Sequence, residues 1–233
     1  MSAERPDRGA TPVQVPIGPH RLAGDLAIPP SARGLVLFAH GSGSSRHSPR
    51  NRFVARELQR RGLATLLIDL LTQDEEAVDV QTGHLRFDVE MLAARLAAIV
   101  AWLRERDETK DLPVGLFGAS TGGGAALIAA AELPDDIGAV VSRGGRPDLA
   151  SAALARVRAP TLLIVGGDDT PVIQMNRSAM ERMPGEVRLE IVQGATHLFE
   201  EPGALERVAD LAGDWFAGHL PERPSPARAP RGS

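Results

Sequence analysis

VGLFGASTGGGAALIAAAE, residues 114–132, decides how this 233-residue chain is read. Val114 to Phe117 is a short apolar run of strand character, and Thr121 to Glu132 is an alanine-rich run of helix formers. Between them lies Gly118-Ala119-Ser120-Thr121-Gly122, a Gly-x-Ser-x-Gly pattern. A strand that turns this sharply into a helix lifts the central serine above the sheet edge in a strained backbone conformation. Glycines two before and two after it let neighbouring backbones approach with no Cβ in the way. The start of the helix then sets free N–H groups and the positive end of its dipole beneath the serine. Close packing of a glycine-rich helix on a strand would account for Gly122 to Gly124, but the junction between strand and helix favours a nucleophile at Ser120.

Outward from this stretch, strand and helix patterns alternate. Val13 to Ile17 and Arg21 to Ile28 flank Gly18-Pro19 as a hairpin. Leu35 to Ala39, Ala64 to Asp69, Ile137 to Val141, Thr161 to Val165 and Val187 to Val192 read as further strands. Helices are expected over 49–61, 87–106, 148–157, 171–183 and 203–220. The alternation implies right-handed crossovers and an α/β architecture: a doubly wound, mostly parallel sheet of about eight strands with helices on both faces. One domain over 13–220 is expected, with a flexible lead at 1–12 and a disordered Pro/Arg/Ser-rich tail at 221–233. Only Ser142 to Pro160 separates the strand at 137–141 from the next, too little for a cap domain, so the cleft should be shallow and open.

Composition narrows the chemistry. There is no cysteine, which removes disulfides, thiolate nucleophiles and zinc–thiolate sites, and no tyrosine. No metal or cofactor is called for. The net charge of −4 gives no reason to expect nucleic acid. No run is apolar enough to span a membrane; Met91 to Leu103 is interrupted by Arg95. The start of the chain lacks the apolar segment of a secretory leader, so a cytoplasmic protein is expected. Nothing in the sequence decides between monomer and homodimer.

In an open α/β sheet, ligands sit beyond the carboxyl ends of the strands. The loop after the last strand carries His197, placed to reach Ser120 as a general base. The strand at 161–165 runs into Gly166-Gly167-Asp168-Asp169. Two carboxylates compete there; Asp169, at the lip of the turn, is preferred as the partner of the imidazole, and Asp168 is expected to face solvent or cap the turn. After the first buried parallel strand comes His40-Gly41-Ser42-Gly43-Ser44-Ser45. Loops of this kind give one backbone N–H to an oxyanion, assigned to Ser42, and the residue after the nucleophile, Thr121, gives the other. His40 is expected to orient that loop. A phosphate-cradling loop is disfavoured because no Gly-Lys-Ser/Thr ending is present. Arg46, Arg50, Arg143 and Arg146 should reach the same edge and are candidates for binding a substrate carboxylate or phosphate, although in an Arg-rich chain solvated arginines are the simpler alternative.

His40-Gly41, Gly118 to Gly122, Asp169 and His197 together resemble the α/β-hydrolase superfamily, and the short uncapped chain resembles its dienelactone hydrolase-like group over roughly residues 13–220. Residues 35–69 are especially similar to bacterial members of that group. The resemblance implies a small-molecule ester substrate hydrolysed through an acyl-enzyme on a Ser-His-Asp triad. Acyl transfer or perhydrolysis at the same triad and a non-catalytic binding module are the alternatives. True dienelactone hydrolases use a cysteine where this chain has Ser120, so the fold and hydrolytic chemistry carry over more directly than the substrate does. Some relatives are fused to a phosphoribosyltransferase domain, for which this chain leaves no room.

Overall fold

The computed structural model describes residues 9–220. Eight strands form one sheet in the order β1-β2-β4-β3-β5-β6-β7-β8, with β1 Ala10–Ile17, β2 His20–Ala27, β3 Leu35–Ala39, β4 Ala64–Ile68, β5 Val114–Ala119, β6 Ile137–Arg143, β7 Thr161–Gly166 and β8 Val187–Val192. β1 and β2 form the expected antiparallel hairpin, and β2 pairs antiparallel with β4; every other pairing is parallel. The first strand starts earlier than expected: residues 10–12 pair with Ala27, Leu26 and Asp25. The expected disordered tail and most of the lead fall outside the described residues.

Strands β3, β4, β5 and β7 are buried along their whole length, as continuous runs of Leu, Val, Ile and Ala in a parallel sheet require. Side chains alternate between two cores. Leu35, Leu37, Leu66 and Leu116 face helices α3 (Val89–Arg104) and α4 (Thr121–Glu132). Val36, Phe38, Leu67 and Phe117 face α1 (Pro49–Arg60) and α6 (Ala204–His219). Helix α5, Thr170–Met180, follows β7. The helix expected at 148–157 is instead a 3-10 stretch over Pro147–Arg156.

The segment between β4 and α3, where the sequence pattern announces no helix, contains helix α2, Gln73–Thr82. Thr72 caps it: its hydroxyl accepts from the Glu75 N–H, and the Glu75 carboxylate accepts from the Thr72 N–H. Glu75 also receives the Arg95 guanidinium. The arginine that interrupts the apolar run of α3 is therefore buried and tied to α2, and it donates to the Leu70 carbonyl as well.

Chain order reverses at β3. Strand β4 lies on one side of it and β5 on the other, so the loops after β3 and β5 meet at the switch point where α/β sheets place ligands.

Candidate active site

The turn from β5 into α4 has the geometry its glycines imply. Ser120 sits at φ 51°, ψ −121°, a left-handed region that a non-glycine residue holds only when its surroundings impose it. Those surroundings are tight. A Cβ on Gly118 would lie 2.5 Å from the Gly122 carbonyl oxygen, and one on Gly122 would lie 2.3 Å from that of Ala39. The Ser120 N–H donates to the Arg143 carbonyl at 3.2 Å, and the Ser120 carbonyl accepts from Gly123 and Arg146 N–H groups at 3.0 Å each. The strained residue is thus held by backbone on both sides.

The loop after β3 packs directly on this bend; a Cβ on Gly41 would lie 3.1 Å from the Ser120 Cβ. His40 anchors the loop. Its Nε2 accepts from the Leu70 N–H at 3.0 Å, which leaves Nδ1 to donate to the Gly41 carbonyl at 3.0 Å. Burial pushes the His40 imidazole below its ordinary pKa, consistent with a neutral ring that serves as a strap.

At the far side of the site, His197 lies in the loop after β8, and Asp169 is the residue before α5. His197 Nδ1 and Asp169 Oδ2 are 2.7 Å apart, with Asp169 largely buried. Asp168 is exposed. Gly144, at φ 52°, backs the imidazole: a Cβ there would lie 3.4 Å from His197 Cε1. Ser120 and His197 line one pocket of about 260 Å³ together with Ser42, Ser44, Arg50 and Arg143. They make no direct hydrogen bond there, and such contacts in unliganded enzymes often close only around substrate.

The two N–H groups assigned to the oxyanion are differently placed. Thr121 N–H opens α4 and has no carbonyl of its own helix to donate to. Ser42 N–H donates to Thr121 Oγ1 at 2.8 Å, so a turn of that side chain would release it.

The four arginines divide in two. Arg46 is committed to Asp69 and also lies 3.6 Å from Asp25, lining a separate hollow beside Gln14 and Arg21. Arg146 forms a two-pronged pair with Asp148 at 2.8 and 2.7 Å. Arg50 and Arg143 both line the pocket of Ser120. Sequence reasoning missed the burial of Arg143, which is the last residue of β6 rather than part of a surface loop. The alternation of β6 held the clue: Ala139, Val141 and Arg143 share a face, and the first two belong to the core beneath α6.

A mostly parallel eight-stranded sheet, helices on both faces and a strained serine bend at the switch point define the α/β-hydrolase fold. The model of the dienelactone hydrolase family matches residues 22–214. The chain belongs to the dienelactone hydrolase family. It is 61% identical to a dienelactone hydrolase from Anabaena variabilis whose crystal structure superposes with a TM-score of 0.90, covering 91% of this chain and 98% of that one. Two Mycobacterium tuberculosis proteins named as phosphoribosyl transferases are each 57% identical over 208 residues, covering 89% of this chain but 46% of theirs. The chain thus spans less than half the length of these curated relatives. Carboxyl esterase 2 from Tuber melanosporum shares the fold at 19% identity, with a TM-score of 0.70, covering 91% of this chain and 87% of that one. Among the described residues, no helix is long and apolar enough to cross a membrane.

Proposed function

We propose that this member of a hydrolase family cleaves carboxylic esters through an acyl-serine intermediate. Ser120 Oγ attacks the ester carbonyl as its proton passes to His197 Nε2, and Asp169 fixes the ring with Nδ1–H toward the carboxylate and stabilises the imidazolium. The imidazolium then gives the proton to the departing alkoxide. Water, deprotonated by the same imidazole, adds to the acyl carbon, and collapse releases the acid and Ser120. Thr121 N–H, and Ser42 N–H once the Thr121 hydroxyl has turned aside, hold the oxyanion.

The observation that carries this reading is the strained Ser120, at φ 51°, in one pocket with an imidazole whose Nδ1 lies 2.7 Å from a carboxylate. The test is labelling with a fluorophosphonate probe, followed by peptide mapping and hydrolysis of p-nitrophenyl esters. Ser120 should carry the label, and Ser120→Ala should lose both label and turnover. Turnover that survives the substitution would refute the reading.

A further inference from the structure

Asn176 lies inside α5 with no exposed surface, and its Oδ1 is buried without a hydrogen-bond partner. A carboxamide at such a position is unfavourable twice over. Asparagine is a weak helix former, and an unmatched buried polar atom costs free energy that an apolar side chain would avoid. Its Nδ2 shows where the compensation lies. That group donates to the Val172 carbonyl at 2.8 Å and to the Gly145 carbonyl at 3.1 Å. With carbonyl oxygens as both partners, only the NH2 end of the amide can face them. The bond to Val172 stays within α5, where the helical ladder already uses the carbonyl four residues back. The bond to Gly145 leaves the helix and reaches the loop after β6.

Gly145 belongs to a four-residue brace, Arg143-Gly144-Gly145-Arg146, that meets both the nucleophile and the base. The Arg143 carbonyl accepts from the Ser120 N–H, and the Arg146 N–H donates to the Ser120 carbonyl. Gly144 backs the His197 imidazole, and its own N–H donates to the Ile164 carbonyl at 2.7 Å. Gly145 packs against the first turn after the nucleophile: a Cβ on Gly123 would lie 3.0 Å from Gly145 Cα, and one on Gly145 would overlap the Ser142 hydroxyl. The centre of the brace therefore has no side chain of its own and is held from outside. Among the described residues, no side chain other than Asn176 hydrogen-bonds to the main chain of 143–146. The helix that supplies this tie starts beside Asp169, whose carbonyl accepts from the Ile173 N–H at 3.0 Å. One helix thus has the triad acid at its start and the anchor of the brace two turns later.

We infer that Asn176 is a positioning residue: its carboxamide locks α5 to the brace and so fixes the spacing of Ser120, His197 and Asp169 without touching substrate. The use of that spacing rests on the esterase reading; the tie itself does not. Ser120 and His197 make no direct hydrogen bond, so their separation is set by what lies behind them. Releasing the Gly145 carbonyl frees Gly144 and the bend to move relative to Asp169. A displacement of about 1 Å between reacting groups costs about a hundredfold in rate.

The test compares wild type with Asn176→Ala, Asn176→Ser and, as a control, Ala179→Gly. Serine at 176 can still donate to the Val172 carbonyl but is too short to reach Gly145. Ala179 is buried in α5, and glycine there weakens the helix without removing a side-chain hydrogen bond. Each protein, shown by circular dichroism to be folded at the assay temperature, is measured in three ways: kcat/KM for p-nitrophenyl butyrate, the rate of fluorophosphonate labelling at Ser120, and the far-downfield NMR signal of the proton between His197 Nδ1 and Asp169 Oδ2. Both substitutions at 176 should slow hydrolysis and labelling by about ten- to a hundredfold and should shift or broaden the proton signal. Ala179→Gly should stay within about twofold of wild type on both rates and leave the signal in place. If Asn176→Ala does not fold, Asn176→Ser, which keeps a bond to the helix, decides. Equal slowing in Ala179→Gly would overturn the inference, because softening of α5 would then suffice. Wild-type rates in Asn176→Ser would overturn it too, as would an unchanged proton signal in both variants at 176. A wild type that hydrolyses and labels, matched by its variants at 176, defeats the inference alone. A wild type that does neither defeats the esterase reading, and the proton signal still decides the tie.

Discussion

Replacing Glu75 with Gln tests how the wall between β4 and α3 is held. Glu75 caps α2 and receives two guanidinium nitrogens of Arg95, and these contacts lower its pKa from 4.5 to about 2, with the Arg95 hydrogen bonds as the leading cause. At about 1.4 kcal/mol per tenfold change in proton affinity, that displacement corresponds to about 3 kcal/mol. Glu75 keeps 19% of its side chain in contact with water, and screening brings the expected contribution to about 1–2 kcal/mol. A carboxylate that is more acidic in the folded state stabilises the fold above its unfolded pKa. That advantage drains away as the folded form takes up its proton. Urea unfolding of wild type and Glu75→Gln should therefore differ by about 1–2 kcal/mol at pH 5.5 to 7. The gap should close as pH falls from 4.5 toward 2. A gap of constant size across this range would mean that packing, not charge, links the two helices; no gap at pH 7 would mean the pair contributes nothing.

Two further outcomes concern the bend and the imidazole. Gly122→Ala forces a Cβ to 2.3 Å from the Ala39 carbonyl oxygen, and it should cost about 2–4 kcal/mol of stability together with most esterase activity; a melting temperature within two or three degrees of wild type, by calorimetry on about the scale expected for this chain length, would contradict this. Asp169→Asn should lower kcat by about a thousandfold or more with the circular dichroism spectrum unchanged, while Asp168→Asn should lose less than about threefold; similar losses at both positions would mean that the pairing with His197 is not what matters.

Much of the fold was legible because local and global signals agree. The parallel strands are uninterrupted apolar runs, and the glycines of 118–122 mark a bend that sterics alone would demand. Asp169 and His197 could be placed beside each other from sequence because each follows a buried or terminal strand at the same end of the sheet. Helix α2 was missed although Thr72 and Glu75 form a capping box. Its polar run Asp74-Glu75-Glu76 resembles a solvated loop, and Val78 and Val80 are exposed rather than packed, so no apolar stripe announces a helix. The four arginines could not be ranked from sequence. Arg46 and Arg50 are one helical turn apart in number, yet the first lies before α1 and finds Asp69, whereas the second lies within it and faces Ser120. Pairing with Asp69, Asp148 or nothing is a tertiary outcome with no local signature.

The carbonyl of Arg143 accepts the amide of Ser120, while the side chain of the same residue reaches the pocket. Main chain and side chain at that strand end can thus be altered independently. Exchanging the guanidinium for another group leaves the peptide that braces the reactive bend where it is.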